Sequence, residues 1–448
     1  MTVTVRSLEI AVPSTELSQE ELRDVFLAQD DLSRLGSRLV STSFDSSGIE
    51  RRYSALDEWD PAPTDEEPLF FDRETGQFLN PTTGTRNQVY AREATELYIR
   101  SATEALAAAE GLGAADVTHV ITVSCTGFFA PGPDYRIVRA LDLDPSVERY
   151  HLGFMGCYAA FPALRQAQTI CQADPEAVVL VVSVELCTLH VRTSNDPDTI
   201  VGSSLFADGA AAAVVTGRDL PASTPLLQLD HFETVLTPVG EDAMAWSIGD
   251  NGFEMVLGTY VPHIIDEHIV GALAPLLDRD PSLAETAYHE IEHWAIHPGG
   301  RSILDKVEAK LELDEQQLVP ARQTLRDYGN MSSVTVMFVL RDILDRARPG
   351  ARERVCGMAF GPGLTVETGL MTTIGAPTAR SELAAASAPE TSAGSTSAPE
   401  PAGSMPAGSV PAGSASADPA PVSSMPAGST SAGSASAGPT SAGSASAP

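Results

Sequence analysis

The sequence predicts a layered α/β protein, and three observations carry that prediction. Short apolar runs rich in Val and Ala, of the length of a strand buried on both faces, recur along the chain; 177–184 (AVVLVVSV) and 210–215 are the plainest. Stretches with Ala, Leu and Glu at helical spacing alternate with these runs. Glycine-bearing turns follow several of the strands, and each turn carries a polar residue capable of chemistry.

In order, the pattern gives an alternating strand over 3–12 and an acidic helix over 18–32. Glu50-Arg51-Arg52-Tyr53 then opens a loop rich in Pro, Asp and Glu that runs through residue 68. A long helix is predicted over 86–110, stopped by Gly111 and Gly113. The run 117–124 (VTHVITVS) is a strand ending at Cys125-Thr126-Gly127. Residues 149–167 (RYHLGFMGCYAAFPALRQA) read as strand, glycine turn and helix, with Cys157 at the helix start. Unpaired amides and the positive end of the helix dipole lie there, and both favour a thiolate. A buried core cysteine is the other reading of the same turn. Strands and loops follow over 219–250, and a helical segment over 253–277. The strand 294–297 (WAIH) is closed by Pro298-Gly299-Gly300 and followed by a helix over 302–313. Tyr328-Gly329-Asn330 precedes a helix over 332–344, and 355–373 read as strand, turn and strand.

Two halves show similar strand–turn–helix units, with Cys125 and Cys157 in the first, His297 and Asn330 in the second. The expected division is 1–222 and 223–376. Residues 377–448 repeat Pro-Ala-Gly-Ser and Ser-Ala-Gly units with few charges and no aromatics. Ordering such a backbone costs more than its packing returns, so a disordered tail is expected.

The chain has 448 residues and 43% hydrophobic content, which is enough for a sizeable core. It has no apolar run of about 18 residues, so no membrane span is expected. The first residues lack the pattern of a secretory signal. The five scattered cysteines argue for a reducing cytoplasm. A net charge of −32 argues against binding nucleic acid. Lys306 and Lys310 are the only lysines, which weakens a Schiff-base mechanism, and an anionic substrate would need a local basic patch.

Cys157, His297 and Asn330 all stand at turns after apolar strands. Such a set suits thioester chemistry: His can hold Cys as a thiolate, and His with Asn can donate to an enolate oxygen. Singly, His297 could cap a strand, and Asn330 could supply a turn or a helix cap. His289-Glu290-Ile291-Glu292-His293 matches the HExxH zinc pattern, with Glu312 as a third ligand. That pattern needs a helix, whereas 294–297 read as strand and 298–300 break any helix, so no metal site is expected.

GFMGCYAAFPALR, SSLFADGAAAAVV, AIHPGGRSILDKVE, YGNMSSVTVMFVL and GMAFGPGLTVETGLM resemble the successive motifs of type III polyketide synthases, the chalcone/stilbene synthase family. The resemblance runs from about residue 5 to residue 374. It implies a thiolase-type αβαβα fold, a homodimer, and a cavity reached by a CoA tunnel. It also implies malonyl-CoA and acyl-CoA as substrates, with no metal and no redox cofactor. Residue by residue, Cys157 matches the acyl-accepting nucleophile, and His297 and Asn330 match the pair that assists it. Phe206 and Phe253 match the gatekeeper phenylalanines. Cys125, His190, Met244, Trp246 and Ser332 fall at cavity positions. Arg51, Arg52 and Arg301 are the candidate CoA contacts, since Ser46 and Ile49 stand where plant members carry basic residues. Ala160 replaces a glycine common in plant members. The contexts GFMGC and LFADG look like bacterial alkylresorcinol and alkylpyrone synthases, which take fatty acyl starters, while VSCTGF resembles members that include tetrahydroxynaphthalene synthases. A single-round ketoacyl synthase using a carrier protein and a catalytically silent scaffold are the competing readings.

Overall fold

The computed structural model describes residues 1–59, 67–258, 260–283 and 286–378; the predicted tail lies outside the described residues from 379 onward, as does part of the acidic loop. A single nine-stranded sheet organises the chain. Its order across the sheet is His293–Ile296, Arg352–Gly361, Thr365–Ile374, Leu226–Leu236, Val3–Ala11, Asp208–Thr216, Val178–Leu186, His119–Ser124 and Glu148–Gly153. The first strand of the chain is the seam. Val3–Ala11 pairs antiparallel with Leu226–Leu236 on one side and with Asp208–Thr216 on the other.

Val178–Leu186 shows why the central strands are apolar without alternation. Val178, Leu180 and Val182 pack into a cluster with Leu97, Tyr98, Ala102 and Ala105 of the helix Thr83–Ala108. Val179 and Val181 belong to the opposite cluster, with Phe161, Ala163 and Leu164 of the helix Ala160–Ala173. Both faces of the strand are covered, so both residue sets must be apolar.

Two predicted elements differ, and one helix lies where none was predicted. The acidic helix over 18–32 is a shorter helix, Gln19–Leu27, followed by a second one, Arg34–Ser46. The hydroxyls of Ser18 and Ser33 accept from Glu21 N and Gly36 N, so each helix has its own cap. The predicted helical segment 253–277 begins with a strand instead. Met244–Gly249 and Gly252–Leu257 form a hairpin around the two-residue loop Asp250-Asn251, with Gly252 at φ 117°. That positive φ fits glycine, and the helix Val261–Leu277 starts only after the hairpin closes. The helix Val319–Tyr328 was not predicted. His289 lies in a short 3-10 turn, Tyr288–Glu290, and His293 opens the strand His293–Ile296, so the HExxH histidines do not share a helix face. Among the described residues, no helix is long and apolar enough to cross a membrane.

Candidate active site

The cavity lies where the strand-end turns converge. It holds about 430 Å³ and is lined by Cys157, His297 and Asn330 together. Cys157 follows the strand Glu148–Gly153 through Phe154 at φ 61° and Gly156 at φ 83°. The backbone here passes close to another turn: a Cβ on Gly156 would sit 2.6 Å from Cδ of Pro362, which also lines the cavity. The helix begins at Ala160, three residues beyond the cysteine, rather than at Cys157 itself. The thiol is therefore outside the first helical turn. Burial pushes it up to about 11, against the favourable contact of the Ser332 hydroxyl. Burial thus outweighs the nearby helix terminus, which the sequence expectation had favouring a thiolate.

His297 ends the strand His293–Ile296, its amide donating to Met358 O at 2.8 Å. The ring is 1% exposed and burial pulls it down to about 3. Neither ring nitrogen has a hydrogen-bond partner among the described residues. A buried unsatisfied imidazole is costly, and at this place it is a group awaiting a partner in the cavity. Asn330 is held from both ends. Its Oδ1 accepts from Ser332 N at 2.9 Å, and its Nδ2 donates to Gly299 O at 3.2 Å. A primary amide has two donor hydrogens, so this fixed orientation leaves one N–H available.

Glu185 ties the surrounding turns together. Fully buried, it accepts from Cys125 N and Thr126 Oγ1, both at 2.9 Å, and from Ser333 Oγ at 2.5 Å. One carboxylate thus anchors the turn bearing Cys125 and the turn following Asn330. Burial raises its pKa, with the hydroxyl and amide donors opposing. The sequence signal was a Glu at the end of an otherwise apolar strand, just past where the predicted run stopped.

Among the other predicted residues, Cys125, Phe206, Met244, Trp246 and Ser332 line the main cavity. Trp246 Nε1 donates to Cys125 O at 2.8 Å, pinning the hairpin over the site, and Cys125 Sγ lies 3.3 Å from Ser332 Oγ. Phe253 and His190 lie instead in a small adjoining pocket of about 40 Å³, stacked with centroids 4.3 Å apart. His190 Nε2 donates to Thr126 O, and its Nδ1 accepts from Phe253 N. Both residues therefore support the cavity wall from behind. Met255, Cys187 and Lys306 also line the cavity and were not among the predicted site residues.

Of the predicted arginines, Arg52 needs correction. Arg52 is 1% exposed, and its guanidinium donates to Ser203 O at 2.8 Å and Phe206 O at 2.7 Å. Burial pulls it down to about 9, with Asp208 opposing. It cannot meet a phosphate in solvent; it fixes the backbone of Phe206. Arg51 is exposed but lies 3.6 Å from Asp327, and Arg301 lies 3.6 Å from Asp305 outside the cavity lining.

Comparison with known proteins agrees with this arrangement. Residues 2–219 match the model of chalcone and stilbene synthases, N-terminal domain, and residues 228–375 match the corresponding C-terminal domain. The chain is 32% identical over 382 residues to type III polyketide synthase 10 of Oryza sativa subsp. japonica, covering 81% of this chain and 90% of that protein. It is also 32% identical over 382 residues to the bisdemethoxycurcumin synthase of the same plant, covering 82% and 91%. PKS-I from the brown alga Ectocarpus siliculosus superimposes with a TM-score of 0.76 at 28% identity, covering 83% of this chain and 98% of that structure. The type III domain of Steely1 from Dictyostelium gives 0.74 at 28% identity, covering 84% and 100%. With its thiolase-like fold and both family domains in place, the chain belongs to the chalcone and stilbene synthase family of type III polyketide synthases, an acyltransferase-type enzyme family.

Proposed function

We propose that this enzyme elongates an acyl-CoA starter, of fatty acyl type, by repeated decarboxylative condensation with malonyl-CoA. The observation that carries the reading is the convergence of Cys157, His297 and Asn330 on one apolar cavity. Cys157 attacks the starter thioester; its proton passes to His297 and leaves with CoA as the free thiol. Malonyl-CoA then loses carbon dioxide, and the electron pair of the broken C–C bond becomes an enolate. Hydrogen bonds from His297 and the free Asn330 N–H stabilise the enolate oxygen. The enolate carbon attacks the Cys157 thioester, a C–C bond forms, and the thiolate is released for reloading. The balance needs no oxidant and no metal.

Burial raises the thiol and lowers the imidazole, so both are neutral in the empty cavity. The pair then ionises together, each charge stabilising the other where water is excluded. Val201, Leu205, Leu257 and Ile303 among the lining favour an alkyl chain over a charged starter. An alkylpyrone, an alkylresorcinol or a related phenolic is the proposed product, and a homodimer the proposed assembly.

The test is product mass spectrometry with malonyl-CoA and a panel of acyl-CoAs. The wild type should form alkyl polyketides, and C157A should form none. H297Q and N330A should each lower kcat by about 10² to 10³. Product from malonyl-CoA alone would replace the fatty acyl reading with a tetrahydroxynaphthalene-type one. Turnover only on carrier-protein thioesters would point to the single-round ketoacyl reading.

A further inference from the structure

Three of the five cysteines, Cys125, Cys157 and Cys187, line the cavity. The condensation written above uses one thiol and leaves Cys125 without a part. Cys171 is turned away, its thiol against Ala177 O and Val215 O, and Cys356 is buried in the core.

The sheet brings Cys125 and Cys157 together. They follow neighbouring strands: His119–Ser124 pairs parallel with Glu148–Gly153, Ser124 opposite Gly153, and Phe154 N donates to Ser124 O at 3.0 Å. Both sulfurs reach one atom. Cys125 Sγ lies 3.3 Å from Ser332 Oγ, and the Cys157 thiol is hydrogen-bonded to the same hydroxyl. A single rotatable hydroxyl thus stands between two thiols. The Cys125 side chain also contacts the Glu185 carboxylate, which can take its proton. A cysteine that reacts as a thiolate is open to peroxide. Its sulfenic acid either meets a second thiol or is oxidised further, to a sulfinic acid that thiols do not reduce.

We propose that Cys125 and Cys157 form a peroxide-driven, thiol-reversible disulfide, in which Cys125 closes on oxidised Cys157 and shields it from irreversible oxidation. The inference rests on the reading of Cys157 as the reactive thiol. The Cys157 thiolate, its proton held by His297, attacks one oxygen of hydrogen peroxide. An S–O bond forms, the O–O bond breaks, and the departing hydroxide takes that proton and leaves as water. Cys125 then passes its proton to Glu185 and attacks the oxidised sulfur. The S–S bond forms, the S–O bond breaks, and the oxygen leaves as a second water with the Cys125 proton. Two thiols lose two electrons, and one peroxide gains them. An acyl group on Cys157 occupies the same sulfur, so a loaded enzyme is protected and an idle one closes.

Intact mass spectrometry of the full-length protein after hydrogen peroxide treatment, followed by a thiol reductant, tests this. The wild type should lose about 2 Da, and digestion without reduction should link the peptide bearing Cys125 to the one bearing Cys157. C187S should form the same link. C125S should instead gain about 32 Da at Cys157. After reduction, the wild type should regain about nine-tenths of its untreated activity, and C125S about one-tenth of its own. Prior incubation with an acyl-CoA that loads Cys157 should slow the loss of 2 Da. No mass change, a disulfide through Cys187, or sulfinic acid at Cys157 of the wild type would each overturn the proposal. Polyketide formation alongside any of these leaves the condensing reading standing. The disulfide in a wild type that makes no polyketide would overturn the condensing reading and leave the thiol pair standing.

Discussion

Arg52 shows how a residue's chemistry is decided by where its guanidinium ends. From the sequence, Arg51 and Arg52 were equal candidates for a phosphate; in the fold, one is exposed and the other lies under Phe206 of the cavity lining. Removing the buried cation leaves Asp208, itself pushed up to about 6 by burial, without its compensating charge. R52M should therefore be destabilised by about 3 kcal/mol in urea unfolding. A variant of unchanged stability with a raised KM for CoA thioesters would show that Arg52 faces the substrate after all.

Turns and hairpins, more than the helices and strands they join, set the geometry of the site. Gly156 is the joint where a positive φ, 83°, coincides with a close contact, against Pro362. G156A should place a methyl group where Pro362 already stands and strain the backbone as well. The expected cost is about 2 kcal/mol, with a lower kcat from a displaced Cys157. Wild-type melting and kinetics in G156A would show that the two turns yield freely. The hairpin over 244–257 was missed at this same scale. Its signal, Gly-Asp-Asn-Gly between two alternating runs, was present but was absorbed into an apolar stretch read with helical period. The helix Val319–Tyr328 went unpredicted for a different reason, having Gln, Arg and Asp on much of its surface and little apolar pattern to follow.

Across the whole molecule, the buried titratable groups make stability depend on pH. His297 sits at about 3 when folded, well below an ordinary imidazole near 6.5. Its contribution is fully present above about pH 6.5 and is lost as pH falls toward 3, because the unfolded chain takes up the proton first. The contribution is on the order of 5 kcal/mol at most. Asp208, raised to about 6, acts in the opposite direction, so the informative quantity is the difference between wild type and H297Q. The melting temperature of the wild type should fall more steeply than that of H297Q between pH 6.5 and 4. Parallel curves would mean that His297 is solvated in the folded protein.

The alternation of buried strands and helices, and the three candidate site residues at strand-end turns, were legible in the sequence because local pattern and backbone chemistry set them. Cys157, His297 and Asn330 stand on separate turns far apart in the chain, so only the shared sheet brings them to one cavity. Whether a charged side chain points into a core, toward a carboxylate or into a cavity depends on partners distant in sequence. Tertiary structure alone therefore separated buried Arg52 from exposed Arg51, and placed Phe253 and His190 behind the cavity wall. The same dependence on burial raises the thiol of Cys157, where desolvation by the whole enclosure outweighs the donors of the turn that carries it.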